Sequence, residues 1–74
     1  MQSIGWTLLD SSALAAVQFH RRILTVRFRN GKVHSYLGVP AELFQKLLAA
    51  ESKGSFFNAH IRDAFPNQPL SKTK

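Results

Sequence analysis

Seventy-four residues with a hydrophobic fraction of 45% specify one small folded domain of modest stability rather than a disordered chain. The absence of cysteine excludes a disulfide framework and a thiolate metal site. No apolar run reaches the roughly 18 residues of a membrane-spanning helix, no signal peptide is expected, and a cytoplasmic location fits. Ten Lys and Arg against four Asp and Glu give a net charge of +6, which points to polyanionic partners, nucleic acid before an anionic membrane surface.

Residues 1–8 hold Ile4, Trp6 and Leu8 in alternation and read as an N-terminal arm or a short edge strand. Asp10, Ser11 and Ser12 form a turn or cap signal. From Leu14 to Phe19, Ala15, Val17 and Phe19 share one face, as in a first strand, although Leu14 and the alanines also suit a helical start. A tight connection at His20–Ile23 sets Phe19 beside Leu24 and Val17 beside Val26. Arg21 and Arg22 are not residues favoured at positive φ.

Asn30-Gly31 is the strongest hairpin signal in the chain. A type I′ turn needs positive φ at both central residues. A two-residue loop there pairs Phe28 with Val33, Arg27 with His34, Thr25 with Tyr36 and Leu24 with Leu37. Because side chains alternate across a strand, Leu24, Val26, Phe28, Val33 and Leu37 then face the core. Thr25, Arg27, Arg29, Lys32, His34 and Tyr36 form a basic outer face with an aromatic ring in it.

Pro40 suits a helix start, and Glu42 complements the dipole there. Leu43, Phe44, Leu47 and Leu48 recur with helical spacing over residues 40–51, with Gly54 as a C-terminal cap. Ser55 is placed to cap a second helix whose Phe57 and Ile61 face inward, with Phe56 and His60 at i, i+4. Pro66 stops it, and residues 67–74 read as a disordered tail. The predicted fold is α+β: a three-stranded antiparallel meander followed by two helices on one sheet face, with the domain over residues 9–66.

Enzyme signals are weak. His20, His34 and His60 lack metal-ligand spacing, no G-x-S-x-G elbow is present, and the four glycines are isolated. Neither catalytic activity nor a metal or cofactor is expected. The outer sheet face is the better lead. Arg27, Arg29 and Lys32 suit phosphates, Tyr36 suits stacking on an unpaired base, and His34 suits either. A second anion patch is Lys53, Ser55, Asn58, His60 and Arg62, where a helix N-terminus adds free N–H groups.

These pieces together resemble a known family. Leu9 to Ser12, Ala15 to Val17, Val33-His34-Ser35-Tyr36-Leu37-Gly38-Val39-Pro40 and Lys53-Gly54-Ser55-Phe56-Phe57-Asn58 with His60-Ile61-Arg62 resemble the KTSC domain. This short module is found as stand-alone bacterial proteins and at the C-terminus of some lysyl-tRNA synthetases. The resemblance spans roughly residues 9–65. It implies no catalytic residues. Its synthetase setting suggests an RNA-binding role. The family's central Tyr-x-Tyr pattern is met by Tyr36 at its second position, with His34 at the first. The expectation is a monomeric, basic module that binds RNA or single-stranded nucleic acid through the outer sheet face. A protein-interaction module using Trp6, Phe56 or the open sheet edge is the rival.

Overall fold

The computed structural model describes residues 5–69. Five antiparallel strands lie in sequence order in one sheet: β1 (Thr7–Leu8), β2 (Leu14–His20), β3 (Ile23–Phe28), β4 (Val33–Leu37) and β5 (Asn67–Pro69). Helices α1 (Ala41–Ala49) and α2 (Lys53–His60) fall between β4 and β5. Leu47 of α1 and Phe57 of α2 join Leu14, Val17, Leu24, Val26 and Tyr36 in a single core, so both helices cover the same sheet face. The class is α+β as expected, but the sheet has two more strands than the meander. β1 is the short edge strand, and β5 occupies positions 67–69, where the sequence pattern predicts the start of a disordered tail. Helix α2 ends at His60, well before the Pro66 expected to stop it, and β5 begins where the Pro66 carbonyl accepts from Leu37 N (2.9 Å), which lays the next residues along the free edge of β4. The rest of the expected tail, and Ile4 of the arm, lie outside the described residues.

The β2–β3 hairpin is tight as expected, whereas the β3–β4 hairpin departs from the expected two-residue turn. Between β2 and β3 the loop is Arg21-Arg22, flanked by the pair His20 and Ile23. Both arginines have positive φ, 53° and 67°, so this is the turn with two left-handed residues. The pairs Phe19 with Leu24 and Val17 with Val26 follow as anticipated. Between β3 and β4, Phe28 N donates to Lys32 O (2.8 Å) and Gly31 N donates to Phe28 O (2.9 Å). That is a three-residue loop in which Gly31 alone is left-handed, at φ 92°, the type I turn plus bulge of longer hairpins. The Asn30 side chain stabilises it differently from a type I′ turn: its Oδ1 accepts from Lys32 N (3.0 Å).

One extra loop residue moves β4 by one position. Leu24 pairs with Tyr36, Val26 with His34, and Arg27 with Val33. A one-residue slip turns every side chain to the other side of the sheet. His34 and Tyr36 therefore face the core side, and Val33 and Leu37 do not, which overturns both the predicted inner face and the predicted basic outer face. Two contacts hold this register. Tyr36 packs edge-on against Phe57 of α2 (5.2 Å between ring centres). On the other side, the Thr25 and Ser35 hydroxyls hydrogen-bond across the strands (2.9 Å). A further irregularity in β2, between Leu14 and Ala16, puts Leu14 rather than Ala15 on the core side, opposite Phe28.

The helices begin where capping places them. Pro40 precedes α1, with Glu42 in its first turn and Lys46 in its last. Phe44 stacks on Phe19 at 4.6 Å, anchoring α1 to β2. Helix α1 ends earlier than expected, and α2 starts at Lys53 with Ser52 as its cap, accepting from Ser55 N (3.4 Å). Ser55 is thus the donor three residues into the motif and not the cap, and Gly54 lies inside the first turn. Its lack of a side chain serves packing: a Cβ on Gly54 would lie 3.1 Å from the Ala13 Cβ.

Candidate functional site

The residues expected to form one basic face are dispersed by the register. Arg27 remains on the outer face and lies over the Trp6 ring, 4.6 Å from its centre. Arg29 is occupied within the fold. Its Nε donates to Ser11 O (2.9 Å), its Nη2 to Leu9 O (3.1 Å) and its backbone N to Ala13 O (3.0 Å). It holds the β1–β2 connection against the hairpin. Ser11 Oγ accepts from Ala13 N and Leu14 N at the same bend (3.2 Å each), as the turn signal implied.

Lys32, His34 and Tyr36 instead meet part of the second patch. A cleft of about 310 Å³ opens between the β3–β4 loop, β4 and α2. Lys32, His34 and Tyr36 line one side, and Asn58 and Arg62 line the other; Phe28 and Phe57 contribute aromatic surface. No residue lining it is acidic. The exposed Lys32 and Arg62 make this cleft electropositive.

Burial raises the Tyr36 phenol above its ordinary value; nearby Arg62 pulls it back down and Asp63 pushes it up. The hydroxyl is therefore a proton donor at neutral pH. His34 is wedged between Phe28 (5.7 Å) and Tyr36 (6.4 Å). Its Nδ1 lies 3.1 Å from Asn67 Oδ1. An amide oxygen only accepts, so Nδ1 is the donor in this contact. Asn67 escaped the sequence reading because nothing local marks residues 67–69 as a strand.

The remaining members of the second patch go elsewhere. Lys53 Nζ donates to Ala50 O (2.9 Å), closing the end of α1. Lys53 and Ser55, with Asn58, line a separate polar cleft that also holds Asp10 and Glu51, which is less suited to anions. His60 packs on Phe56 at 4.5 Å. Among the described residues, no helix is long and apolar enough to cross a membrane.

Fold and cleft define a small basic α+β domain whose β4 and α2 segments face each other. The chain belongs to the KTSC domain family, whose model matches residues 10–65. It is 41% identical over 59 residues to a protein of Tsukamurella paurometabola, covering 77% of this chain and 88% of that one. It is 40% identical over 52 residues to an uncharacterized protein of Stutzerimonas stutzeri, covering 68% and 73%. The crystal structure of a KTSC domain protein from Yersinia pestis superposes with a TM-score of 0.88 at 28% identity, covering 93% of this chain and all of that one. The two segments richest in the family resemblance, residues 33–40 and 53–62, supply most of the residues lining the cleft.

Proposed function

We propose that the protein binds single-stranded nucleic acid, RNA foremost, through the cleft between β4 and α2 and its basic rim. The observation that supports this reading most is the meeting of Lys32, His34 and Arg62 around a cleft with aromatic walls and no acidic lining residue. The site thus moves from the outer sheet face to the opposite side of the sheet. Lys32 and Arg62 supply phosphate contacts, and the partly exposed Phe28 and His34 rings suit an unstacked base. A net charge of +6 supplies the long-range attraction.

Titration of fluorescent RNA, single-stranded DNA and duplex DNA at two salt concentrations tests this. Affinity for the single strand is expected to fall steeply with salt. Replacing Lys32 and Arg62 by Ala is expected to lessen the log–log salt slope by about 1.5, at roughly 0.7 per phosphate contact on a single strand. Arg27→Ala, on the far face, is expected to leave binding unchanged. No binding at low salt refutes the reading.

A second reading, a protein-interaction module, is favoured by the helix-free outer face, where Leu8 is 81% and Ile23 39% exposed. It predicts association that depends on concentration and is abolished by Leu8→Lys. A monomer at millimolar concentration opposes self-association by this face.

A further inference from the structure

The cleft is small, and its lining divides by chemistry. About 310 Å³ lies at the low end of the roughly 300–1,000 Å³ of ligand clefts, enough for one nucleotide-sized unit and too little for a stack of bases. The half-buried Phe28 gives it apolar surface over the buried Leu14 and Phe57, while Lys32, Asn58 and Arg62 give it cations and an amide.

Tyr36 adds an independent observation. It is 4% exposed and lines the cleft, yet its hydroxyl hydrogen-bonds to no described residue. The hydroxyl end borders the open cleft, so it is available to a ligand or to water. A phenol donor beside two cations requires an acceptor atom. Asn58 likewise directs neither its amide N–H nor its carbonyl to any described residue, and an amide is suited to pairing with the donor and acceptor edge of a heterocycle. Sequence-specific RNA recognition commonly works on bases splayed out of the strand and held against aromatic rings.

We infer that the cleft is the seat of a single unstacked nucleotide. Its base lies against the half-buried Phe28 ring, and its phosphate lies near Lys32 and Arg62. The Tyr36 hydroxyl donates to an acceptor on the ligand. This rests on the nucleic-acid reading and specifies what part of the strand the cleft takes.

The test is an NMR titration of the full chain at low salt with three probes: inorganic phosphate, ribonucleoside 5′-monophosphates and an eight-nucleotide single-stranded RNA. The monophosphates and the RNA are expected to shift the same amides, Lys32, Gly54, Phe57 and Asn58. Phosphate alone is expected to perturb Lys32 and Arg62 and to bind more weakly. Tyr36→Phe and, separately, the exposed Asn58→Ala are each expected to weaken nucleotide binding about tenfold, as loss of one hydrogen bond does. Asn58→Ala keeps the test valid if Tyr36→Phe disturbs the fold. Salt-dependent RNA binding that leaves the cleft amides unmoved overturns the nucleotide seat and leaves the nucleic-acid reading standing. Monophosphate binding in the cleft without RNA binding supports the seat and overturns the strand reading. Binding of neither probe overturns both.

Discussion

Tyr36 shows at the scale of one residue how placement changes chemistry. On the outer face it would be an exposed stacking ring; on the core side it is buried against Phe57, with its phenol held above the usual range by desolvation. A raised phenol keeps its proton in the folded state while the unfolded chain releases it near pH 10. Its contribution to stability is therefore constant below about pH 10 and is lost as pH rises toward the raised value. Urea denaturation is expected to show this alkaline loss in the native protein and less of it in Tyr36→Phe. Near pH 7 that variant is expected to stay within about 0.5 kcal/mol of the native protein, because the hydroxyl has no hydrogen-bond partner in the fold to lose. The arginines separate in the same way. Arg29 holds the Leu9 and Ser11 carbonyls, so Arg29→Ala is expected to cost about 1–2 kcal/mol, read as a lower thermal midpoint, whereas Arg27→Ala costs less than half of that.

At the scale of elements, the turns carry the consequences. Arg21 and Arg22 occupy the left-handed region, where each side chain costs roughly 1 kcal/mol. Replacing them with Asn and Gly supplies the residues that a type I′ turn favours. The double variant is expected to gain about 1 kcal/mol in chemical denaturation, with unchanged strand pairing. Gly54 gives the opposite lesson. Gly to Ala inside a helix normally stabilises by about 1 kcal/mol. Here the new Cβ meets Ala13 at 3.1 Å. Ala13 cannot retreat easily, since its backbone is bound to Ser11 and Arg29. Gly54→Ala is therefore expected to show no gain, and Gly54→Leu a loss of at least about 2 kcal/mol, both measurable by thermal melting. The helix periodicity was legible in the sequence because Leu43, Phe44, Leu47 and Leu48 repeat regularly. The α2 start was less so: Ser52 and Ser55 are both good caps, and only the geometry of the three-residue link from α1 chooses between them.

At the scale of the whole molecule, the cleft exists because two distant segments converge, the β3–β4 hairpin and α2 with the residues after it. Lys32 comes from a hairpin loop, His34 and Tyr36 from β4, and Asn58 and Arg62 from α2 and the residue pair beyond it. Each of these residues was a candidate from the sequence, but in two separate patches. Local pattern cannot say that a loop and a helix twenty residues later share a wall. Asn67, which holds His34, is farther still. The same convergence predicts coupling: removing β5 by truncation after Pro66 is expected to free His34 and weaken RNA binding severalfold, while the core under α1 stays folded, as amide exchange would report.

Composition and periodicity determined the α+β class, the three central strands, the first helix and the basic charge, and the resemblance of the named motifs pointed to the family. These depend on short-range patterns that any local segment displays. The tertiary structure alone decided the hairpin register and, with it, the site. A two-residue and a three-residue loop are both compatible with Asn30-Gly31, and they differ by one residue. The choice between them is made by what the strand packs against: a tyrosine ring packs edge-on against Phe57, and a serine meets Thr25 on the other side. That single residue turned His34 and Tyr36 away from Arg27 and toward Arg62.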